Sequence, residues 1–281
     1  MTKKKVLSLF SGYGGMDLGL EGGFRCLTKS VNEEMCPDWI EKKDGIMSTL
    51  VRTGFDTVFA VDIRPDAKRA WTDYFSGRKE NYDGIYHLDS IVNLVKRAKA
   101  GERVFPEDID IVTGGFPCND FSVSGKRMGF MSSKSDLGVL MDEEKPTAEN
   151  RGMLYMWMRE VISLTRPKMF IAENVKGLTN LGEARQIIEH DFAEAGGDGY
   201  VVVPARVLRA WEYGVPQSRE RVIFFGFRKS ALRKEALEAL SSDPVHPAYD
   251  PYPPRTHGEG LCPFVNLHRR PRRPCRAFCV L

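Results

Sequence analysis

The run Gly114-Gly115-Phe116-Pro117-Cys118-Asn119-Asp120-Phe121-Ser122 carries a thiol just past an apolar β-type segment, Ile109-Asp110-Ile111-Val112. A cysteine thiolate is an intrinsically strong nucleophile, and a helix N-terminus or nearby cation makes it more available. Pro117 restricts the backbone beside it. The competing reading is a small buried cysteine that only packs. Two glycines before it, a proline beside it and polar residues after it favour an accessible sulfur. At the C-terminal edge of a parallel sheet, such a thiol would attack a bound ligand covalently.

Other residue types suit acid–base and cofactor chemistry. Glu173 ends the apolar run Met169-Phe170-Ile171-Ala172, and Asn174 and Val175 follow it. A carboxyl at a strand tip costs energy unless it is paired or meets a ligand, and there it can hold or donate a proton. The competing reading is an N-cap or ion-pair role for Glu173. Arg219 and Arg221 flank Glu220 at the start of Val222-Ile223-Phe224-Phe225, just after Gln217. An Arg fork there suits a base carbonyl or a phosphate, although Arg-Glu-Arg also reads as a surface ion-pair cluster. Phe10-Ser11-Gly12-Tyr13-Gly14-Gly15 lies between a β-type run and Met16-Asp17-Leu18-Gly19-Leu20. Gly12, Gly14 and Gly15 would let a ligand approach the backbone, or simply make a tight turn. Asp62 ends a second run, where an acid can accept both ribose hydroxyls, and Ile63 could pack on an adenine face. Asp89, placed ahead of the third strand, could accept from an adenine amino group. Each acid also reads as a cap or turn residue.

These residues need a scaffold. Strands are expected at 5–10, 57–62, 109–114, 168–173, 200–208 and 221–227, with helices near 15–21, 66–75, 91–99, 152–165, 183–195 and 229–240. The alternation predicts an α/β fold with a doubly wound, mostly parallel sheet. Residues 1–240 form the expected catalytic domain, and 241–281 a Pro-rich and then Arg-rich tail. Residues 28–54 and 123–150 read as irregular insertions, the second placed to close over a site as a lid.

The 281 residues suffice for one large domain with a real core. No apolar run approaches a membrane span, and the basic start MTKKK lacks a signal-peptide core. A cytoplasmic protein follows, with six cysteines as thiols in a reducing compartment. The net charge of +3 says little, but five Arg residues within 269–276 could follow phosphates or merely be solvated. His257, Cys262, His268, Cys275 and Cys279 fit no common zinc spacing, so no metal is expected.

Together the motifs resemble the DNA cytosine-5 methyltransferase family, in its order, over about residues 5–228. The resemblance implies a Rossmann-like domain that uses S-adenosylmethionine. It implies that Phe10, Gly12, Gly14, Gly15, Asp62, Ile63, Asp89, Pro117 and Leu154 hold the donor. Cys118, Glu173, Arg219 and Arg221 would be catalytic, and Pro117, Ser122, Asn174, Val175 and Gln217 would meet the base. The implied reaction adds Cys118 to C6 of a cytosine flipped out of double-stranded DNA and methylates C5, often within a restriction–modification system.

The chain departs from the pattern after Arg221. Neither a target-recognition region nor the final block that returns to the donor pocket is evident. The favoured reading is the catalytic chain of a split enzyme whose second polypeptide recognises the target. A truncated, non-catalytic nucleic-acid-binding fragment of the same fold is the rival, and methylation of RNA cytosine is a variant of the activity.

Overall fold

A computed structural model describes residues 3–117, 154–180 and 184–257. Cys118, Ser122, the proposed lid and the Arg-rich end of the tail lie outside the described residues.

Strands β1 (Lys4–Leu9), β5 (Phe55–Asp62), β6 (Tyr86–Leu88), β7 (Ile111–Gly114), β8 (Met169–Val175), β9 (Tyr200–Arg209) and β10 (Glu220–Arg228) form one sheet. Its order is β6-β5-β1-β7-β8-β10-β9. The first five run parallel, and β10 enters antiparallel between β8 and β9. The central strands read as continuous apolar runs because helices cover both faces; Val6, Leu7 and Leu9 of β1 are fully buried. This is the doubly wound, mostly parallel sheet expected.

The helices follow their sequence signals closely. In α2 (Pro65–Phe75), proline opens the first turn and Ala67, Trp71 and Phe75 line the buried side at four-residue spacing. In α4 (Ile91–Lys99), the Ser90 hydroxyl accepts from the Val92 N–H at 3.2 Å, and Lys96, Arg97 and Lys99 complement the dipole at the other end. Helices α1 (Gly15–Glu21), α5 (Leu154–Thr165) and α6 (Ala184–Ala193) also stand where expected.

Four expectations need correction. Residues 28–54 are not irregular. Within them β3 (Ile40–Asp44) and β4 (Met47–Leu50) join β2 (Arg25–Leu27), which directly precedes them, in a small antiparallel sheet, with Gly45 at the β3–β4 turn in a left-handed conformation, φ 59°. Its strands are short, and β3 is almost wholly exposed, so the alternation that marks a half-buried strand is weak. The expected strands omit β6: a four-residue helix α3 (Tyr82–Ile85) leads into this three-residue strand, so Asp89 follows β6 directly as well as preceding β7. So short an edge strand has almost no periodicity to read. The helix expected at 229–240 begins later, as α7 (Lys234–Ser242), after a single turn at 229–231. Finally, residues 249–257, within the segment expected as a tail, pack onto the domain. Tyr252 is buried, its hydroxyl donates to the Ile223 carbonyl at 2.7 Å, and the Asn32 side chain donates to the Thr256 carbonyl at 2.7 Å. Among the described residues no helix is long and apolar enough to cross a membrane.

Candidate active site

At the C-terminal edge of the parallel strands lies a cavity of about 350 Å³. Phe10, Val61, Asp62, Ile63, Arg64, Asp89, Ser90, Ile91, Gly115, Pro117 and Leu154 line it. The turns after β1, β5 and β6, the segment after β7 and the start of α5 therefore supply its walls, the location that an open α/β sheet reserves for ligands.

The turn after β1 is built tightly. Phe10 takes a left-handed conformation at φ 51°, an uncommon one for a side chain of this size. Ser11 exchanges hydrogen bonds with Val61, its N–H donating to the Val61 carbonyl at 2.9 Å and its hydroxyl accepting from the Val61 N–H at 3.0 Å. Tyr86 donates its hydroxyl to the Gly12 carbonyl at 3.0 Å. Gly14 is left-handed at φ 84°, and a Cβ there would stand 2.5 Å from the Trp71 ring. Trp71 in turn donates its indole N–H to the fully buried Asp17 at 2.8 Å. Burial raises the Asp17 carboxyl to about 6, against the opposing pull of the Ser8 hydroxyl and this indole. The glycines thus serve backbone conformation and close packing: Gly12, Gly14 and Gly15 are not among the cavity-lining residues, whereas Phe10 is.

Both acids are held with accepting capacity to spare. Asp62 accepts from the Gly12 N–H at 3.0 Å on one oxygen and from the Arg64 N–H at 3.1 Å on the other. Each oxygen keeps a lone pair, which suits the two hydroxyls of a ribose. Asp89 donates its N–H to the Asp62 carbonyl at 3.2 Å, so the two acids are tied by backbone. Its carboxylate meets the Ser90 N–H at 2.7 Å and Arg97 at 3.3 Å. With Ile63 and Ile91 as apolar walls, the cavity fits an adenosine-bearing group.

A second cluster meets the cavity at Gly115. Glu173 on β8 and Ile223 on β10 are register partners, as are Val175 and Arg221. The Arg221 Nε stands 2.5 Å from the Glu173 carboxylate, and Arg219 stands 3.6 Å from the same oxygen. A Cβ on Gly115 would approach the other Glu173 oxygen to 3.0 Å, so the Glu173 carboxylate lies close against this glycine. Asn174 is buried and donates to the Phe116 carbonyl at 3.4 Å. Residues 115–117, which lead into Cys118, are therefore braced by β8.

A model of the C-5 cytosine-specific DNA methylase family matches residues 4–251. The chain belongs to that family. It is 33% identical over 270 residues to the type II methyltransferase M.BsuRI of Bacillus subtilis, covering 94% of this chain and 50% of that protein. To M.BspRI of Lysinibacillus sphaericus it is 34% identical, covering 94% and 51%. To M.AquIA of a Picosynechococcus strain it is 32% identical over 232 residues, covering 80% and 73%. The chain spans about half the length of the first two relatives.

In this member of the family, the structure gathers Phe10, Asp62, Ile63, Asp89, Pro117 and Leu154 around one cavity. It brings Glu173, Arg219 and Arg221 together beside it. Gln217 is exposed, its N–H donating to the Val215 carbonyl at 2.8 Å, and is not a cavity-lining residue. Sequence reasoning missed Val61, Arg64, Ser90 and Ile91 as lining residues, and Gly115 beneath Glu173.

Proposed function

We propose that this chain transfers a methyl group from S-adenosylmethionine to C5 of cytosine in double-stranded DNA, through a covalent bond between Cys118 and C6 of a flipped-out base. One observation carries the reading. The cavity whose two acids suit adenosine ends at Pro117 and Gly115, and the Glu173–Arg221 pair stands on the far side of that glycine. A methyl donor and a pyrimidine edge would thus meet beside Cys118.

Asp62 would hold the ribose hydroxyls, Asp89 the adenine amino group, and Ile63 and Leu154 the faces of the ring. When bound, the donor supplies an electrophilic methyl on a sulfonium. The chain's own work is to make C5 nucleophilic. The Cys118 thiolate adds to C6, and the C5–C6 π electrons shift to leave C5 enamine-like. Glu173 holds the proton at N3, where charge develops, while Arg221 faces the O2 carbonyl. Arg221 gives its Nε to Glu173 and its Nη1 to the Glu220 carbonyl at 2.8 Å, which leaves Nη2 for the base. Gln217, Ser122, Asn174 and Val175 would frame the base. After C5 gains the methyl, a base takes the C5 proton and the C–S electrons return to sulfur, freeing Cys118.

The decisive variant is Cys118→Ala. It is expected to abolish methyl transfer to duplex DNA while donor affinity changes less than about threefold; full activity in this variant would exclude the mechanism. DNA containing 5-fluorocytosine should become covalently attached to the wild-type chain, since fluorine at C5 cannot leave as a proton does. Offering structured RNA beside duplex DNA tests the acceptor. The proposal includes a second polypeptide for target recognition and a place in a restriction–modification system. Activity with and without the product of the neighbouring reading frame tests the first of these.

A further inference from the structure

We propose that Tyr13, Arg64 and Asp66 form a clasp that holds the Arg64 wall of the donor cavity and sets how fast donor and product exchange. The inference rests on the reading of that cavity as the S-adenosylmethionine site.

Tyr13 sits between Gly12 and Gly14 in the turn after β1, and its ring is exposed. Arg64 and Asp66 belong to the turn after β5 and the first residues of α2. These are the two turns joined at the ribose acid, because the Gly12 N–H donates to Asp62. Arg64 has two parts with different duties. Its backbone N–H donates to Asp62 at 3.1 Å, and its side chain lies over the Tyr13 ring, 5.5 Å from the centroid. One guanidinium nitrogen donates to the Tyr13 hydroxyl at 3.0 Å, and Nε donates to Asp66 at 3.1 Å. A further Arg64–Asp66 ion pair and a Tyr13 hydroxyl bond to Asp66 at 3.0 Å complete the ring of contacts. Arg64 is the only cationic side chain among the described residues lining the cavity.

All three side chains are exposed, so the clasp is cheap to open: exposed ion pairs and surface cation–π contacts are each weak. A donor site needs this property, because each turnover must release a spent ligand that differs from the fresh one by a single methyl. The Arg64 hydrogen bond holds the Asp66 carboxyl down at about 2, so the clasp stays charged throughout the neutral range and responds to salt instead.

The test uses the full chain and S-adenosylhomocysteine, which binds without reacting. Release of the labelled ligand is followed in a chase at low and high salt, for wild type, Arg64→Ala and Tyr13→Phe. Arg64→Ala is expected to release ligand about three- to tenfold faster at low salt, and Tyr13→Phe about twofold to threefold faster. Wild-type release should quicken with salt, while Arg64→Ala should be nearly insensitive to it. Equal thermal midpoints establish that the variants fold. Tight binding by wild type with unchanged release and salt response in both variants overturns the clasp alone. Failure of the wild-type chain to bind the ligand overturns the donor-site reading and the clasp with it.

Discussion

At the level of single residues, the site works by fixing charged groups against neighbours that leave part of each group unused. Arg221 illustrates this. Its pairing with Glu173 is geometric as well as electrostatic, because Nε, Nη1 and Nη2 point in fixed directions from one plane. A lysine keeps the charge and loses the fork. Arg221→Lys is therefore expected to lower kcat by about 10²- to 10³-fold, the range for losing one oriented donor to a developing charge, with donor affinity unchanged. Steady-state kinetics together with equilibrium donor binding separate the two effects, and a loss of donor affinity alone would contradict this assignment. The sequence made Glu173 and Arg221 visible as charged residues at the ends of apolar runs. It did not show that they touch, since 48 positions separate them and only the antiparallel entry of β10 beside β8 joins them.

At the level of elements, the sheet carries an irregularity that a distant residue repairs. The β9–β10 register shifts between Ile223 and Phe225, opposite the stretch of β9 that contains Pro204. Proline cannot donate to the ladder and is tolerated in an edge strand or at a bulge. The Tyr252 hydroxyl fills the gap. It accepts from the Arg206 N–H at 3.2 Å and donates to the Ile223 carbonyl at 2.7 Å, with the Pro204 carbonyl at 3.2 Å sharing that proton. On the same stretch Glu189 of α6 accepts from the Ala205 N–H at 2.8 Å. Arg206 lies over the Tyr252 ring and pairs with Asp250 at 2.7 Å. Tyr252→Phe keeps the ring and strands buried backbone groups, so it should cost about 1–3 kcal/mol in chemical denaturation. A cost near zero would mean that water reaches the bulge. This residue lies beyond the expected domain limit at 240, where composition alone suggested a tail. A single tyrosine in a Pro-rich stretch carries no periodicity to announce such docking.

At the level of the whole molecule, stability and the turn after β1 share a buried acid. Asp17 is enclosed by α1, α2 and the sheet, with Glu21 and Lys79 as its charged neighbours. Folding raises its carboxyl from 3.8 to about 6, chiefly through burial. Below the unfolded value both states are protonated and the group costs nothing. As pH rises through 6 the folded state must ionise it in a dry site, and stability falls. The difference between the two values corresponds to roughly 3 kcal/mol. Asp17→Asn can still accept from the Trp71 indole and carries no charge. It should therefore melt higher than wild type above about pH 6.5, with the gap closing toward pH 4. Thermal unfolding across that pH range checks the sign, and a gap that stays constant with pH would reject it.

What the sequence determined by itself was the order of the chemical motifs and the alternation of long apolar strands with amphipathic helices. Both are local properties: burial on two faces writes a continuous apolar run, and a helix against a sheet writes a four-residue spacing. What only the tertiary structure decided was which of the marked residues meet. Asp62 faces Gly12, Glu173 lies over Gly115, and Tyr252 closes a bulge made forty-odd residues earlier. The short strands β2, β3, β4 and β6 belong to the same class, since three to five residues hold too few side chains to show a period and exist as strands only because a neighbour completes their hydrogen bonds.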